Sequence, residues 1–179
     1  MNRFVNVWMI MAASGLGTGF RDGGPGSING NNDFMMFEDC IVTNYSVAAW
    51  AITNTQAYSW VMSNCQGTGN GVGKYAVSGG DGIPSASPFY WHDGLVGGHT
   101  VADFYIKHTQ SDGANYHIDN VMSEGSNRFL ITSPANSLYC RTTIENVRFN
   151  QGNLNADGVA MHFSHAGPIL IRNCGFGSL

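Results

Sequence analysis

The chain has 179 residues, 43% of them apolar and only 11% charged, with a formal net charge of −4. That is enough chain for one domain with a core of its own, and an acidic balance with no basic stripe argues against nucleic acid as a partner. No apolar run reaches the ~18 residues a membrane-spanning helix needs, and 24 glycines among many Asn and Ser point to tight turns between short strands.

The first element is Phe4-Val5-Asn6-Val7-Trp8-Met9: an apolar residue, a variable one, Asn or Asp, a small residue, another variable one and an apolar one. Residues 1–13 also have the makeup of a short secretion signal, but Asn6 interrupts the apolar stretch and the same residues fit a repeat. The unit returns as Phe37-Glu38-Asp39-Cys40-Ile41-Val42, Met62-Ser63-Asn64-Cys65 and Trp91-His92-Asp93-Gly94-Leu95-Val96. It recurs again as Ile118-Asp119-Asn120-Val121-Met122, Ile144-Glu145-Asn146-Val147-Arg148-Phe149 and Ile171-Arg172-Asn173-Cys174-Gly175-Phe176. The Asn/Asp positions are spaced by 33, 25, 29, 27, 26 and 27 residues. A period in this range predicts a solenoid, in which each turn of chain buries its apolar face on its neighbours.

Between these units lie short alternating runs: Trp50-Ala51-Ile52, Tyr75-Ala76-Val77, Phe104-Tyr105-Ile106, Phe129-Leu130-Ile131 and Met161-His162-Phe163. Alternation of period two predicts strands with the large residues facing in. Aligning the last residue of each run places Ile52, Val77, Ile106, Ile131 and Phe163 in one inward column. The reading is all-β: a right-handed parallel β-helix of about seven coils, about 27 residues each, with strands in three stacked sheets. The hand follows the general preference of parallel crossovers. Residues 1–179 form a single domain, and the repeat runs from Phe4 to Phe176, leaving little chain to cover either end. Uncovered end coils present strand edges, so the chain is expected to be a segment of a longer β-helix, or to be capped by another subunit or by unusual loops.

Three of the four cysteines, Cys40, Cys65 and Cys174, share a repeat slot with Val7, Val121 and Val147. A slot filled by either Cys or Val is a small inward position, which favours free buried thiols, Cys140 included, over disulfides or metal ligation. The Asn/Asp column itself (positions 6, 39, 64, 93, 120, 146 and 173) is expected at a turn, bonded along the stack, with a structural role.

The sharpest functional hint lies on the second strand of each coil. Aligned by repeat, Lys74, Asp103 and Arg128 fall on successive coils at a position predicted to face outward, beside Tyr105, Lys107 and His162. Both lysines of the chain are on this face. As an ion-pair ladder such a column contributes ~0–1 kcal/mol per pair. As a site, a cation beside an acid neutralises a uronate carboxylate and removes the adjacent proton, the chemistry of β-elimination. An acid pair hydrolyses a glycosidic bond instead, and Asp103 with Asp157 are the acids for that version. Two loops frame the face: residues 79–100, where Phe89 and Tyr90 are candidate sugar-stacking platforms, and residues 150–158, which precede the strand bearing His162.

The Ile-x-Asn-Cys/Val-x-Phe units, together with Asp157-Gly158-Val159-Ala160-Met161-His162-Phe163-Ser164, resemble the pectin-lyase-like superfamily of right-handed β-helices. That group includes pectate lyases, polygalacturonases and phage tailspike depolymerases. Asn155-Ala156-Asp157-Gly158 is similar to the Asn-Thr-Asp motif of polygalacturonases, with Ala for Thr. The paired-Asp, Gly-His-Gly and Arg-Ile-Lys motifs that follow it in those enzymes are not in this chain. Pectate lyases bring Ca2+ into view, but Asp81, Asp93 and Asp103 occupy scattered slots, so no cofactor is expected, with Ca2+ as the open alternative that lacks a clear ligand cluster. The resemblance implies a polysaccharide partner, an extracellular or virion-associated location, and a homo-oligomer (a trimer) or end-to-end stacking on another β-helix segment. Two functions follow from it. One is binding and cleavage of an extracellular polysaccharide, as a lyase or glycoside hydrolase. The other is a non-enzymatic tailspike or adhesin segment that binds glycan or serves as a rigid shaft.

Overall fold

The computed structural model describes residues 2–12, 17–22, 34–52, 59–79, 88–106, 115–132, 141–152, 158–164 and 167–178. Every strand pairing among them is parallel, and the strands stack as a β-solenoid with rungs about 27 residues apart. One ladder runs through β1 (Asn2–Val5), β4 (Met35–Glu38), β7 (Trp60–Thr68), β9 (Pro88–Gly97), β11 (Asn115–Glu124), β13 (Arg141–Glu145) and β16 (Ile169–Arg172). A second begins with β2 (Trp8–Ile10) and β5 (Ile41–Thr43), continues through the later halves of β7, β9 and β11, and ends with β14 (Arg148–Gln151) and β17 (Gly175–Ser178). The third holds β3 (Thr18–Asp22), β6 (Ala48–Ile52), β8 (Tyr75–Ser78), β10 (Phe104–Ile106), β12 (Leu130–Thr132) and β15 (Met161–His162). Of the three expected sheets, two are joined because β7, β9 and β11 run unbroken around the corner between them.

That corner is built by the Asn/Asp column. Asn6, Asp39, Asn64, Asp93, Asn120, Asn146 and Asn173 all have left-handed backbone, with φ between 49° and 60°. A left-handed residue costs ~1–2 kcal/mol with most side chains, whereas Asn and Asp tolerate it by bonding locally. The column is stitched along the stack: Asn64 Nδ2 donates to Asp39 Oδ1 at 2.7 Å, and Asn120 Nδ2 to Asp93 Oδ1 at 2.5 Å. Asn146 departs from the pattern, donating to Asp119 Oδ1 at 2.7 Å, one residue away from the slot.

Turning the corner aims the next residue inward. Cys40, Cys65, Val121 and Val147 are buried there, and Cys174 is half-buried. Cys40, Cys65 and Cys174 are free thiols, while Cys140 lies outside the described residues. Burial pushes the Cys65 thiol up to about 12, partly opposed by hydrogen bonding to the backbone of Cys40. Down the axis of the core runs an unbroken chain of rings. Phe4 stacks on Phe37 at 4.9 Å, Phe37 meets Trp50 at 6.1 Å, and Trp50 meets Trp91 edge-on at 5.3 Å. Trp91 then meets Phe104 at 5.3 Å, Phe104 meets Phe129 at 5.2 Å, and Phe149 carries the contact to Phe176 at 6.2 Å.

The third ladder corrects the register read from sequence. Trp50, Val77, Phe104, Leu130 and Met161 are the true column, not Ile52, Val77, Ile106, Ile131 and Phe163. A slip of two keeps alternation intact, so period two cannot detect it. At Phe129-Leu130-Ile131 the slip is of one: Phe129 and Leu130 are both buried, and Ile131 faces partly out.

Candidate functional site

Lys74, Asp103 and Arg128 do not form a surface column. With Phe104 opposite Val77 and Leu130, Asp103 lies level with Ala76 and Phe129 rather than with Lys74 and Arg128. Lys74 is exposed and Arg128 half-buried, but Asp103 has no exposed surface and points into the molecule. Donors from two rungs draw it there. His99 Nδ1 approaches Asp103 Oδ1 at 2.6 Å, Ser126 Oγ donates to the same oxygen at 2.6 Å, and Ser123 Oγ donates to Oδ2. On the far side of His99, Nε2 lies 2.5 Å from Tyr45 Oη. Tyr45 reaches past an intervening rung because Gly73 leaves it room: a Cβ there would lie 2.7 Å from the ring.

Burial, and then the charge of Asp103, holds the Tyr45 phenol well above its ordinary range. Tyr45 therefore keeps its proton, and its hydroxyl shares a hydrogen bond with His99 Nε2 while Nδ1 faces Asp103. This Tyr–His–Asp relay has the bonding order of a catalytic triad. Its members are sealed from solvent, so it is a buried polar network that links neighbouring rungs.

Burial of the Cys65 thiol and the Tyr45 phenol makes alkaline stability a test of the core. A group whose folded pKa is raised contributes stability that is complete below its unfolded pKa and is lost as pH rises toward the folded value. For Cys65 that window opens at the ordinary 9.0 and closes at about 12; for Tyr45 it opens at 10.0. Each group is expected to remove ~1.4 kcal/mol per pH unit inside its window. Urea midpoints measured from about pH 8 to pH 11 should fall steadily above pH 9. Cys65→Val, which fits the shared slot, should flatten the first part of that fall; a wild-type profile level to pH 11 would refute the burial of both groups.

The other sequence candidates lie on two faces. Tyr105 faces outward, half-buried and stacked on Tyr75 at 5.3 Å, and burial followed by the neighbouring Tyr105 raises the Tyr75 phenol. His162 is exposed two rungs along the same column, with Ile131 between. Lys107 and Asp157 lie outside the described residues. Phe89 corrects an expectation: it is buried against Tyr116 with ring centroids 6.3 Å apart, so it offers no platform. Its neighbour Tyr90 takes the opposite side of the strand and faces out.

Around Tyr90 the structure assembles a cluster that sequence reasoning missed. On the outer face of the first ladder, Tyr90, His117 and Thr143 are register partners on successive rungs, as are His92, Asp119, Glu145 and Arg172. Three rings meet there: Tyr90–His92 at 5.8 Å, His92–His117 at 5.6 Å and Tyr90–His117 at 6.0 Å. His92 Nδ1 is 3.9 Å from Asp119 Oδ2, His117 Nε2 is 3.9 Å from Glu145 Oε2, and Arg172 Nη2 donates to that same Glu145 oxygen at 2.8 Å. Glu145 is nearly buried, so its pairing with Arg172 offsets the cost of holding a charge out of water. A cleft of about 430 Å3 opens beside this cluster, lined by Tyr90, His117, Arg141, Thr143, Glu145 and Arg172 among others.

The signal for this column was present in the repeat. His92, Asp119, Glu145 and Arg172 each stand one residue before a left-handed Asn or Asp, so each must point away from the core. Among the described residues no group of three or more His, Cys, Asp or Glu is placed to hold a metal ion, and no helix is long and apolar enough to cross a membrane. No protein-family model, no curated protein and no solved structure matches the chain.

Proposed function

We propose that this protein is a carbohydrate-binding β-solenoid of the pectin-lyase-like kind, acting on an extracellular or virion-associated polysaccharide, and that its binding face is the outer side of the first ladder. The observation that carries this reading is a cleft in which the Tyr90 and His117 rings stand beside Arg141 and Arg172, with the His92 ring packed on both from outside it. Flat aromatic surface packs on the apolar face of a sugar ring, and guanidinium groups pair with a uronate carboxylate in a fixed fork. Parallel rungs repeat the pattern every ~4.8 Å, which suits a polymer better than a compact ligand.

Cleavage is the second reading. Asp119 and Glu145 stand in register on adjacent rungs, and two carboxylates about 5 Å apart are the arrangement of retaining glycosidases. The alternative without chemistry, a tailspike or adhesin segment that holds glycan or stiffens a fibre, uses the same face for binding alone.

The test is affinity electrophoresis and calorimetry against a panel of acidic and neutral polysaccharides, followed by a depolymerisation assay. Tyr90→Ala and Arg141→Ala should each weaken binding of an acidic polymer by roughly tenfold or more, the loss of one well-packed anchor, with an unchanged circular dichroism spectrum. If cleavage occurs, Glu145→Gln should remove turnover and retain binding. Full affinity in both Tyr90→Ala and Arg141→Ala would take the site off this face.

A further inference from the structure

The corner formed by the left-handed column has an outer side as well as an inner one. Across the first four rungs it makes a groove of about 330 Å3, separate from the cleft beside Tyr90. One wall carries Asn6, Asp39 and Asn64. The other is a register column of Trp8, Ile41, Gln66 and Leu95 from β2, β5, β7 and β9. The groove floor includes Gly94, the one repeat in which the small inward slot has no side chain and the backbone takes φ 116°.

We infer that this groove is a second glycan site, and that it takes a neutral sugar. The two walls differ in kind, and a pyranose ring has the matching two sides: an apolar face of C–H groups and a rim of hydroxyls. Trp8 is 72% exposed, a large aromatic surface left to solvent, whereas Trp50, Trp60 and Trp91 are buried. On the polar wall the bond from Asn64 Nδ2 to Asp39 Oδ1 uses only part of each group. It leaves a carboxylate oxygen of Asp39 and the carbonyl and second N–H of Asn64 as hydroxyl partners. Charge decides the class of sugar. The groove lining contains the Asp39 carboxylate and neither Lys nor Arg, so a uronate or a phosphate meets repulsion with nothing to offset it. An acyl chain would leave the amide wall without partners. The two faces therefore sort by charge: the cleft with Arg141 and Arg172 for acidic units, the groove with Trp8 for uncharged ones.

The tryptophan distribution supplies the assay. Because Trp8 is the exposed one of the four tryptophans, quenching of emission by acrylamide reports on it selectively. Titration with neutral gluco-, xylo-, manno- and galacto-oligosaccharides should give a saturable emission change and protect Trp8 from the quencher. By calorimetry, Trp8→Ala should lose roughly tenfold or more in affinity for the same neutral oligosaccharide, while Tyr90→Ala keeps it. No saturable response across the neutral panel would overturn the inference. So would Trp8 protection that rises with protein concentration in the absence of sugar, which would mean that a second copy covers the groove. Neutral-sugar binding lost in Tyr90→Ala and retained in Trp8→Ala would assign it to the other face, and would overturn the groove without touching the reading of the Tyr90 cleft.

Discussion

Replacing Asp103 with Ala is expected to destabilise the fold by ~3–5 kcal/mol, the cost of removing one partner from a buried charged network. The substitution leaves the ring N–H of His99 and the hydroxyls of Ser123 and Ser126 facing a void in place of a carboxylate. None of them can recover a bond from water, because all are buried. Asp103→Asn keeps the volume and one acceptor oxygen, and should cost less than half as much. The comparison variant is Lys74→Ala: Lys74 is exposed, and its loss should fall within about 0.5 kcal/mol of wild type. Urea unfolding followed by far-ultraviolet circular dichroism measures all three. An Asp103→Ala cost under ~1 kcal/mol is what a surface ion-pair ladder predicts, and that result would put the carboxylate back in solvent.

Trp91→Ala should be comparably severe, at ~3–5 kcal/mol for truncating a large buried aromatic. Trp91 sits near the middle of the axial ring chain, edge-on to Trp50 below and to Phe104 above, each at 5.3 Å, and its indole N–H donates to the carbonyl of Asp93 at 2.9 Å. Truncation therefore opens a cavity, breaks two aromatic contacts and leaves the carbonyl at the left-handed corner without its donor. The position also matters for cooperativity. A solenoid is held by nearest-neighbour interfaces, so a defect in a central rung weakens the coupling between the two ends. With a urea m-value of ~2 kcal/mol/M for a small domain, the midpoint should fall by about 2 M. The transition should also broaden or separate into two steps, read by comparing circular dichroism with fluorescence of the remaining tryptophans. Trp91→Phe, which preserves the ring contacts, should recover most of the midpoint; if it is as damaging as Ala, packing is not what Trp91 contributes.

Both predictions rest on features that differ in how far they were legible beforehand. The repeat unit was readable in full because its physics is local. Asn or Asp is the residue type that accepts a left-handed backbone, and a small residue must follow it to turn inward. The seven corner positions and the Cys/Val slot needed no tertiary information. The Tyr90 cleft was half legible. Tyr90 was identified, and the positions of His92, Asp119, Glu145 and Arg172 were written into the same repeat. Their convergence with His117 and Arg141 depends on which strand lies beside which, and only the pairing of β9, β11, β13 and β16 supplies that.

Asp103 marks the boundary. Alternation, aligned by repeat, placed it on the surface, and that is sound as a local rule. Of the partners that overturn it, His99 is four residues away, but Ser123 and Ser126 stand 20 and 23 residues away, and Tyr45, which holds the far side of His99, is 54 residues from it. They come within bonding distance only when rungs stack and Gly73 clears a path for Tyr45. The sequence by itself determined the solenoid, its period, its corners and its small inward slots, because those follow from backbone conformation and side-chain size within one repeat. The tertiary structure decided the register of the third ladder, the burial of Asp103 and the gathering of the charged ring cluster. Each of these depends on contacts between rungs, where a shift of two residues leaves the local pattern unchanged and alters every neighbour.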